Sequence, residues 1–182
     1  MFYGCVALKA VPERLFSRCT RVRTFDDCFL GCASLENVGD AVFDGCFNCT
    51  SFQGCFSGCS FLRHIPANTF AGCSAVTDMS NCFSSSGLRE IPSGIFDEMT
   101  SCGSWSSAFS SCYSLATVPM GLFANIPDGG SFQTCFSGDS SISSTVPELW
   151  NTHPNASHTN CYRNCTHAAN YAQIPADWGG PT

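Results

Sequence analysis

The sequence lacks the short motifs that mark most catalytic centres. It contains no Gly-x-Ser-x-Gly elbow, no Walker loop and no dinucleotide-binding fingerprint. Its four histidines are not arranged with neighbouring residues in the form of a reaction centre. We therefore expect a protein that is not an enzyme and that needs no cofactor.

Charged residues are scarce, and basic residues are the scarcer kind. The 182 residues include 8 Lys and Arg against 14 Asp and Glu, for a net charge of −6. The first 24 residues are an exception with a charge of +4, which we interpret as a solvated, charged edge of the fold. The excess of acids elsewhere argues against nucleic acid as a partner.

The chain also lacks the signals of membrane insertion. Its start has no basic region followed by an apolar run, and no apolar stretch is long enough to span a bilayer. We expect no signal peptide, no anchor and no direct membrane insertion in this chain. A surface role would then require that signal and anchor lie elsewhere, or that the protein is delivered within a virion.

An aromatic residue recurs at an almost fixed interval from one end of the chain to the other. The intervals are 27, 27, 27, 26, 27 and 26 residues. The seven positions are Phe2, Phe29, Phe56, Phe83, Phe109, Phe136 and Tyr162. A sustained period of this length is typical of a solenoid, in which each repeat unit stacks on the next. We number each unit from its leading aromatic, which is position 0.

Other positions of the unit are equally regular. Leucine or isoleucine holds position 6, and a β-branched residue followed by proline comes next, as in Ile65-Pro66, Ile91-Pro92 and Val118-Pro119. Apolar residues recur about every three positions, which fits neither a long helix nor an alternating strand. Each unit is predicted to be a short strand, a corner, a short helical or 3-10 return and a second corner. One such unit cannot bury its own apolar side, so neighbouring units must stack.

These features together predict one solenoid domain over residues 1–182. Its strands would be parallel and stacked into a sheet, with six to seven coils in all. The repeats begin near residues 1, 28, 55, 82, 108 and 135. The pattern breaks after Tyr162, so a C-terminal cap is expected over about residues 161–182, with Trp178 as the lid of the last coil.

The consensus Cys-Phe-x-Gly-Cys-x-x-Leu-x-x-Ile-Pro resembles the BspA-like leucine-rich repeats of bacterial surface proteins. Its clearest copies lie at Cys28–Leu35 and Cys55–Cys59, and Ala75–Phe83 is similar to a second stretch of that family. The resemblance covers nearly the whole chain. It implies a right-handed leucine-rich-repeat solenoid that serves adhesion or partner binding without catalysis. Because similar repeats occur in phage proteins, it implies a location at the cell surface, outside the cell or in a virion.

The fifteen cysteines recur in register with the repeat. They precede the leading aromatic or hold positions 3, 17 and 20, where Met99, Ile126 and Ala108 replace them in other units. These replacements favour a column of buried free thiols, because free cysteine packs as a small apolar group. Disulfides between stacked coils are a second interpretation. A zinc site at His158, Cys161 and Cys165, with His153 and His167 nearby, is a third and weaker one.

The strand of each unit carries two outward positions that vary from coil to coil. We define the charged stripe as Glu36, Arg63, His64, Arg89 and Glu90, which occupy these positions in three successive units. The stripe is our candidate site for a host protein or a glycan, as expected of an adhesin. The alternative is a purely structural segment, such as a spacer in a longer surface or tail-fibre protein.

The first coil is predicted to present an apolar face that includes Phe2, Leu8 and Val11. Terminal repeats of solenoids normally carry a polar cap over such a face. We therefore expect the chain to associate end to end through this coil, or to have been part of a longer array.

Overall fold

A computed structural model describes residues 1–182, and its backbone hydrogen bonds join each repeat unit to the next. The amide of each leading aromatic donates to a carbonyl of the following unit, as from Phe29 to Cys55 at 2.8 Å and from Phe56 to Cys82 at 2.7 Å. The ladder continues to Tyr162, whose amide donates to the carbonyl of Trp178 at 2.8 Å. The arrangement is solenoid-like, as the repeat predicts.

Regular secondary structure is sparse. Strands β1 (Ala10–Val11) and β2 (Asn37–Val38) pair in parallel, and α1 (Leu149–Thr152) is the one α-helix. Two 3-10 turns, at Tyr171–Gln173 and Ala176–Trp178, lie in the region expected to form a cap. Since α1 has four residues, no helix of this structure has the length or apolar character to cross a bilayer.

The sheet expected at the β-branched-proline position is shorter than the repeat predicts. Beyond β1 and β2, parallel pairing at this position is limited to the bridge between Glu90 and Thr117. Proline follows the β-branched residue in most units, and it has no amide with which to extend a ladder. The returns between corners are mostly hydrogen-bonded turns in place of the expected helices.

A longer series of parallel bridges lies on another side of the coil. It runs through Thr24, Ser51, Asp78, Ser104, Ser131 and Ser157. The residue after each of the first five bridge positions is buried, and these residues are Phe25, Phe52, Met79, Trp105 and Phe132. This side joins more units than the pair β1–β2, and sequence reasoning did not predict it.

The core is built from columns of stacked rings. All seven leading aromatics stack nearly face to face, with centroids 5.3–5.5 Å apart and ring planes within 10° of parallel. A second column runs through Phe16, Phe43, Phe70 and Phe96 at 5.5–5.9 Å. The two columns meet edge to face, as where Phe43 approaches Phe56 at 6.2 Å. Edge-to-face and offset contacts suit the charge distribution of aromatic rings.

The cysteines are unpaired, and thirteen of the fifteen are buried. Those at position 3 point their sulfur toward the carbonyl of the leading aromatic in the preceding unit. The distances are 3.0 Å from Cys32 to Phe2, 3.3 Å from Cys59 to Phe29 and 3.1 Å from Cys165 to Phe136. A thiol is a weak donor, so it adds a hydrogen bond while packing as an apolar group. The buried column of free thiols is the arrangement found.

Alkylation is expected to separate the cysteines into two classes. Cys5 is exposed and should react with iodoacetamide in the native protein, with the half-buried Cys19 following more slowly. Burial raises the pKa of Cys46 and of Cys102 to about 12, so the reactive thiolate is almost absent there at neutral pH. Mass spectrometry of native and urea-unfolded samples measures the difference. Fewer than about ten free thiols in the unfolded, unreduced chain would favour disulfides instead.

Candidate functional site

The charged stripe lies on the outside of three neighbouring units. Glu36 immediately precedes β2, while Arg89 and Glu90 lie at the bridge that continues the same side of the coil. Backbone hydrogen bonds space the later units regularly: Arg89 donates to Arg63 at 3.1 Å and Ala116 donates to Arg89 at 2.8 Å. Outward side chains in successive units therefore lie one coil apart.

His64 and Glu90 form a pair across two units. The His64 Nδ1 atom lies 3.4 Å from Glu90 Oε1, and the two side chains are 66% and 58% exposed. An exposed pair of this kind contributes little to stability, because water solvates both groups well when they are apart. Both groups are thus free to exchange this contact for one with a partner.

Arg63 is held by two neighbours. Its guanidinium donates a hydrogen bond from Nη1 to Ser114 Oγ at 3.2 Å, and it lies over the ring of Phe61 at 6.0 Å from the centroid. Ser114 belongs to a unit two steps away. The intervening unit is one residue short just before Leu88, and this shortening removes a side chain from the column that contains Phe61 and Ser114.

Glu36 is the member of the stripe that the structure separates from the rest. Its amide donates to the carbonyl of Lys9 at 2.9 Å, so it is coupled to the first unit. No backbone hydrogen bond joins Glu36–Val38 to Arg63–Ile65. The structure therefore brings together Arg63, His64, Arg89 and Glu90, with Glu36 at the edge of the group.

Two residues of this surface were missed by sequence reasoning. Phe61 is 55% exposed beside Arg63, and Ser114 accepts the arginine's hydrogen bond. The signal that identifies them is the single-residue deletion before Leu88. Phe61 and Ser114 both hold position 5 of their units, and the deletion removes a side chain that would stand between them. A shallow groove also begins at Glu90 and continues along Ile91, Pro92, Thr117 and Pro119. The surface thus combines charges, an aromatic ring and an apolar margin.

The residues of the zinc interpretation are not brought together. His158 stacks on Trp178 with ring centroids 4.1 Å apart, and its Nε2 atom lies 3.0 Å from Asp177 Oδ2. Cys161 and Cys165 are buried in the core, where burial raises the pKa of both thiols. His153 is also buried, with its Nε2 atom 3.3 Å from the carbonyl of Ile126. These side chains serve packing and capping contacts.

Several solved structures of leucine-rich-repeat proteins are similar to this chain. A leucine-rich repeat protein from Bacteroides ovatus is 20% identical with a TM-score of 0.48, over 78% of this chain and 32% of its own. A leucine rich cell surface protein from Faecalibacterium prausnitzii is 19% identical with a TM-score of 0.32, over 89% of this chain and 42% of its own. A Treponema pallidum leucine-rich-repeat protein is 19% identical with a TM-score of 0.29, over 94% of this chain and 70% of its own.

These proteins are of the class that the repeat motif resembles. The chain spans about a third of the length of the Bacteroides ovatus protein. No protein-family model matches the chain, and no curated protein does. At this identity and these scores the likeness concerns the fold and carries no inference about function.

Proposed function

We propose that this protein is a non-enzymatic binding module, an adhesin of a cell surface or virion, and that its charged stripe contacts a partner protein. The proposed architecture is one right-handed solenoid of six to seven coils over residues 1–182. The observation that supports the function is the group of Arg63, His64, Arg89 and Glu90, which are solvent-accessible on adjacent units beside Phe61. None of these side chains is needed for the core, so evolution is free to shape them for a partner.

The mixture of charges favours a protein over a glycan as the partner. Arg63 and Arg89 are balanced by Glu36 and Glu90, so these four side chains together have no net charge. Neighbouring charges of both signs are complementary to another protein surface, where they fix register and exclude wrong partners. An aromatic ring beside arginine is also a common anchor of protein interfaces.

A five-residue variant tests this proposal. Changing Glu36, Arg63, His64, Arg89 and Glu90 to serine is expected to weaken partner binding by about tenfold or more, because interface charges and arginine anchors act together. The partner is sought first by screening the purified protein against extracellular-matrix proteins and a glycan panel. Affinities of variant and parent are then compared by surface plasmon resonance.

A matched control changes Glu13, Arg18, Arg21 and Asp97 to serine. These are two acids and two bases, all exposed and without side-chain hydrogen bonds. Binding should survive in this control. A partner bound equally well by the stripe variant would show that the stripe is not the site, and a glycan hit lost in the stripe variant would replace protein by glycan as the ligand.

The second candidate function is a structural segment that stacks end to end with a copy of itself. The observation that favours it is the first unit, where Met1, Tyr3 and Val6 are 87%, 67% and 63% exposed. A second chain seated there would bury this apolar surface. Sedimentation should then show association that rises with concentration and is weakened by Tyr3→Ser with Val6→Ser, whereas a concentration-independent monomer would contradict it.

A further inference from the structure

A second surface, away from the charged stripe, has the form of a small ligand site. It is a groove of about 400 Å³ at the corner where three units meet, those led by Phe109, Phe136 and Tyr162. The groove is shallow and open to solvent, so one side of a bound ligand would remain exposed. It is lined by Tyr113, Arg163 and Asn164 and by the small residues Ser110, Ser111, Ser137, Gly138 and Ser140.

The groove exists because large side chains interrupt columns of small ones. Position 1 is serine in four successive units, Ser57, Ser84, Ser110 and Ser137, and then becomes Arg163. Position 4 holds nothing larger than valine in any other unit, whereas Tyr113 occupies it here with 66% of its surface exposed. Tyr113 and Arg163 are two units apart, which corresponds to about 10 Å between walls.

Gly138 keeps the floor of the groove open. Its φ of 91° is a left-handed conformation that glycine adopts most easily, and a Cβ atom here would lie 3.5 Å from Ser111 Oγ. The equivalent positions on both sides carry side chains, Ser111 and Asn164, although their φ values of 63° and 68° are also left-handed. The alternation leaves a recess between two polar walls.

Five polar side chains of the groove have no partner within the protein. No side-chain hydrogen bond or ion pair is formed by Tyr113, Ser137, Ser140, Arg163 or Asn164. Ser110, which also lines the groove, donates to the carbonyl of Ser137 at 3.1 Å. The groove therefore has several side-chain donors and acceptors that are free to bind a ligand.

We propose that this groove binds a carboxylated monosaccharide, such as the acidic residue at the end of a glycan chain. The guanidinium of Arg163 presents parallel N–H donors that match both oxygens of a carboxylate. The ring of Tyr113 provides an apolar face for the C–H side of a sugar, and its hydroxyl remains available for hydrogen bonding. Asn164, Ser137 and Ser140 supply donors and acceptors for the sugar hydroxyls.

The charge of the groove is consistent with an acidic ligand. Arg163 is the single charged residue among those that line it. Asp139 follows Gly138 directly but is buried, and burial raises the pKa of its carboxyl well above the usual value. A neutral Asp139 leaves the positive charge of Arg163 uncancelled. The glycan site would be additional to the protein contact of the charged stripe and does not depend on it.

A matched pair of ligands tests the inference. Methyl glucuronide and methyl glucoside differ at the carboxylate, and sialyllactose and lactose form a second pair. NMR titration of the parent protein is expected to show that the acidic member of at least one pair binds. Its neutral counterpart should bind with an affinity at least about tenfold lower. Acetate and inorganic phosphate are titrated as sugar-free anions.

Three variants complete the test. Arg163→Gln should lower the affinity for the acidic sugar by about tenfold or more. Tyr113→Ser should lower the affinity for the acidic and the neutral sugar alike. Arg21→Gln, at an exposed arginine outside both surfaces, should leave this binding unchanged. Both groove residues are exposed, so thermal unfolding midpoints should match the parent and confirm folding.

Four outcomes would overturn the inference. They are equal binding of acidic and neutral sugars, acetate or phosphate bound as tightly as the sugar acid, unchanged affinity in Arg163→Gln, and no binding of any sugar in either pair. None of these outcomes bears on the charged stripe, because the five-residue variant reports on that surface separately.

Discussion

Replacing Phe56 by alanine is expected to lower the free energy of unfolding by about 3–5 kcal/mol. Phe56 is fully buried and stacks between Phe29 and Phe83, with centroids 5.3 and 5.5 Å away. Its loss leaves a cavity in the middle of a ring column, and the neighbours cannot close it because each is fixed by its own unit. The expected loss is a large fraction of the 5–15 kcal/mol that typically holds a domain together.

Urea denaturation followed by circular dichroism measures this effect, with reductant present to keep the thiols free. Phe47→Ala is the matched control, because Phe47 is a phenylalanine with 57% of its surface exposed. The control should change the free energy of unfolding by less than about 1 kcal/mol. Equal losses in the two variants would mean that the ring column is not a principal source of stability. Two separate unfolding transitions in Phe56→Ala would mean that the halves of the solenoid unfold independently.

Replacing Asp139 by cysteine is expected to stabilise the protein. Asp139 is fully buried, and its Oδ1 atom accepts a hydrogen bond from the amide of Cys112 at 2.7 Å. Its Oδ2 atom has no partner. A buried polar group without a partner costs about 1–3 kcal/mol. Position 3 is cysteine in most units, and Cys112 shows the bond that a thiol makes there, at 3.0 Å to the carbonyl of Phe83. A cysteine at 139 should donate likewise to the carbonyl of Phe109.

The gain from Asp139→Cys should depend on pH. Burial raises the pKa of Asp139 in the folded state, whereas the unfolded chain has an ordinary value of about 4. The folded state thus retains a proton that the unfolded state releases, so the contribution of Asp139 to stability falls as pH rises from about 4 toward the raised value. Over this pH range, the free energy of unfolding falls by up to about 1.4 kcal/mol per pH unit for one proton. The difference between variant and parent should therefore widen with pH.

Urea denaturation at several pH values between about 4.5 and 7.5 measures this difference. Asp97→Asn is the control, because Asp97 is an exposed acid that forms no side-chain hydrogen bond or ion pair, and its replacement should change the free energy of unfolding by less than about 0.5 kcal/mol. Asp139→Ser offers a second test, since Ser86 occupies the same position in another unit. A constant difference across this pH range, or a less stable Asp139→Cys protein, would contradict the assignment of a buried neutral carboxyl.

Much of the packing was predictable because the repeat constrains it so strongly. The column from Phe2 to Tyr162 and the burial of Cys28, Cys55 and Cys82 follow from their shared position in each unit. A residue type that recurs at one position must occupy the same environment in every coil. Positions 63, 64, 89 and 90 were recognised as outward for the complementary reason, since their residue types vary while the core positions do not.

The groove at Tyr113 and Arg163 was not predictable in this way. These residues hold different positions of two units that are separated by a third. Their proximity depends on how far one coil rises above another and on the recess at Gly138. The bond between Arg63 and Ser114 across the shortened unit is a similar case. Neither is visible in the period alone.

The sequence by itself determined that the chain repeats, which residues face the core, and that its cysteines lie in columns. These properties depend on local order along the chain, so a one-dimensional pattern contains them. Only the tertiary structure decided where parallel pairing is most continuous, at Thr24 to Ser157 instead of beside β1 and β2, and which polar side chains are left without partners. Stacking sets these features, because the rise and rotation between coils bring together residues that no spacing in the sequence relates.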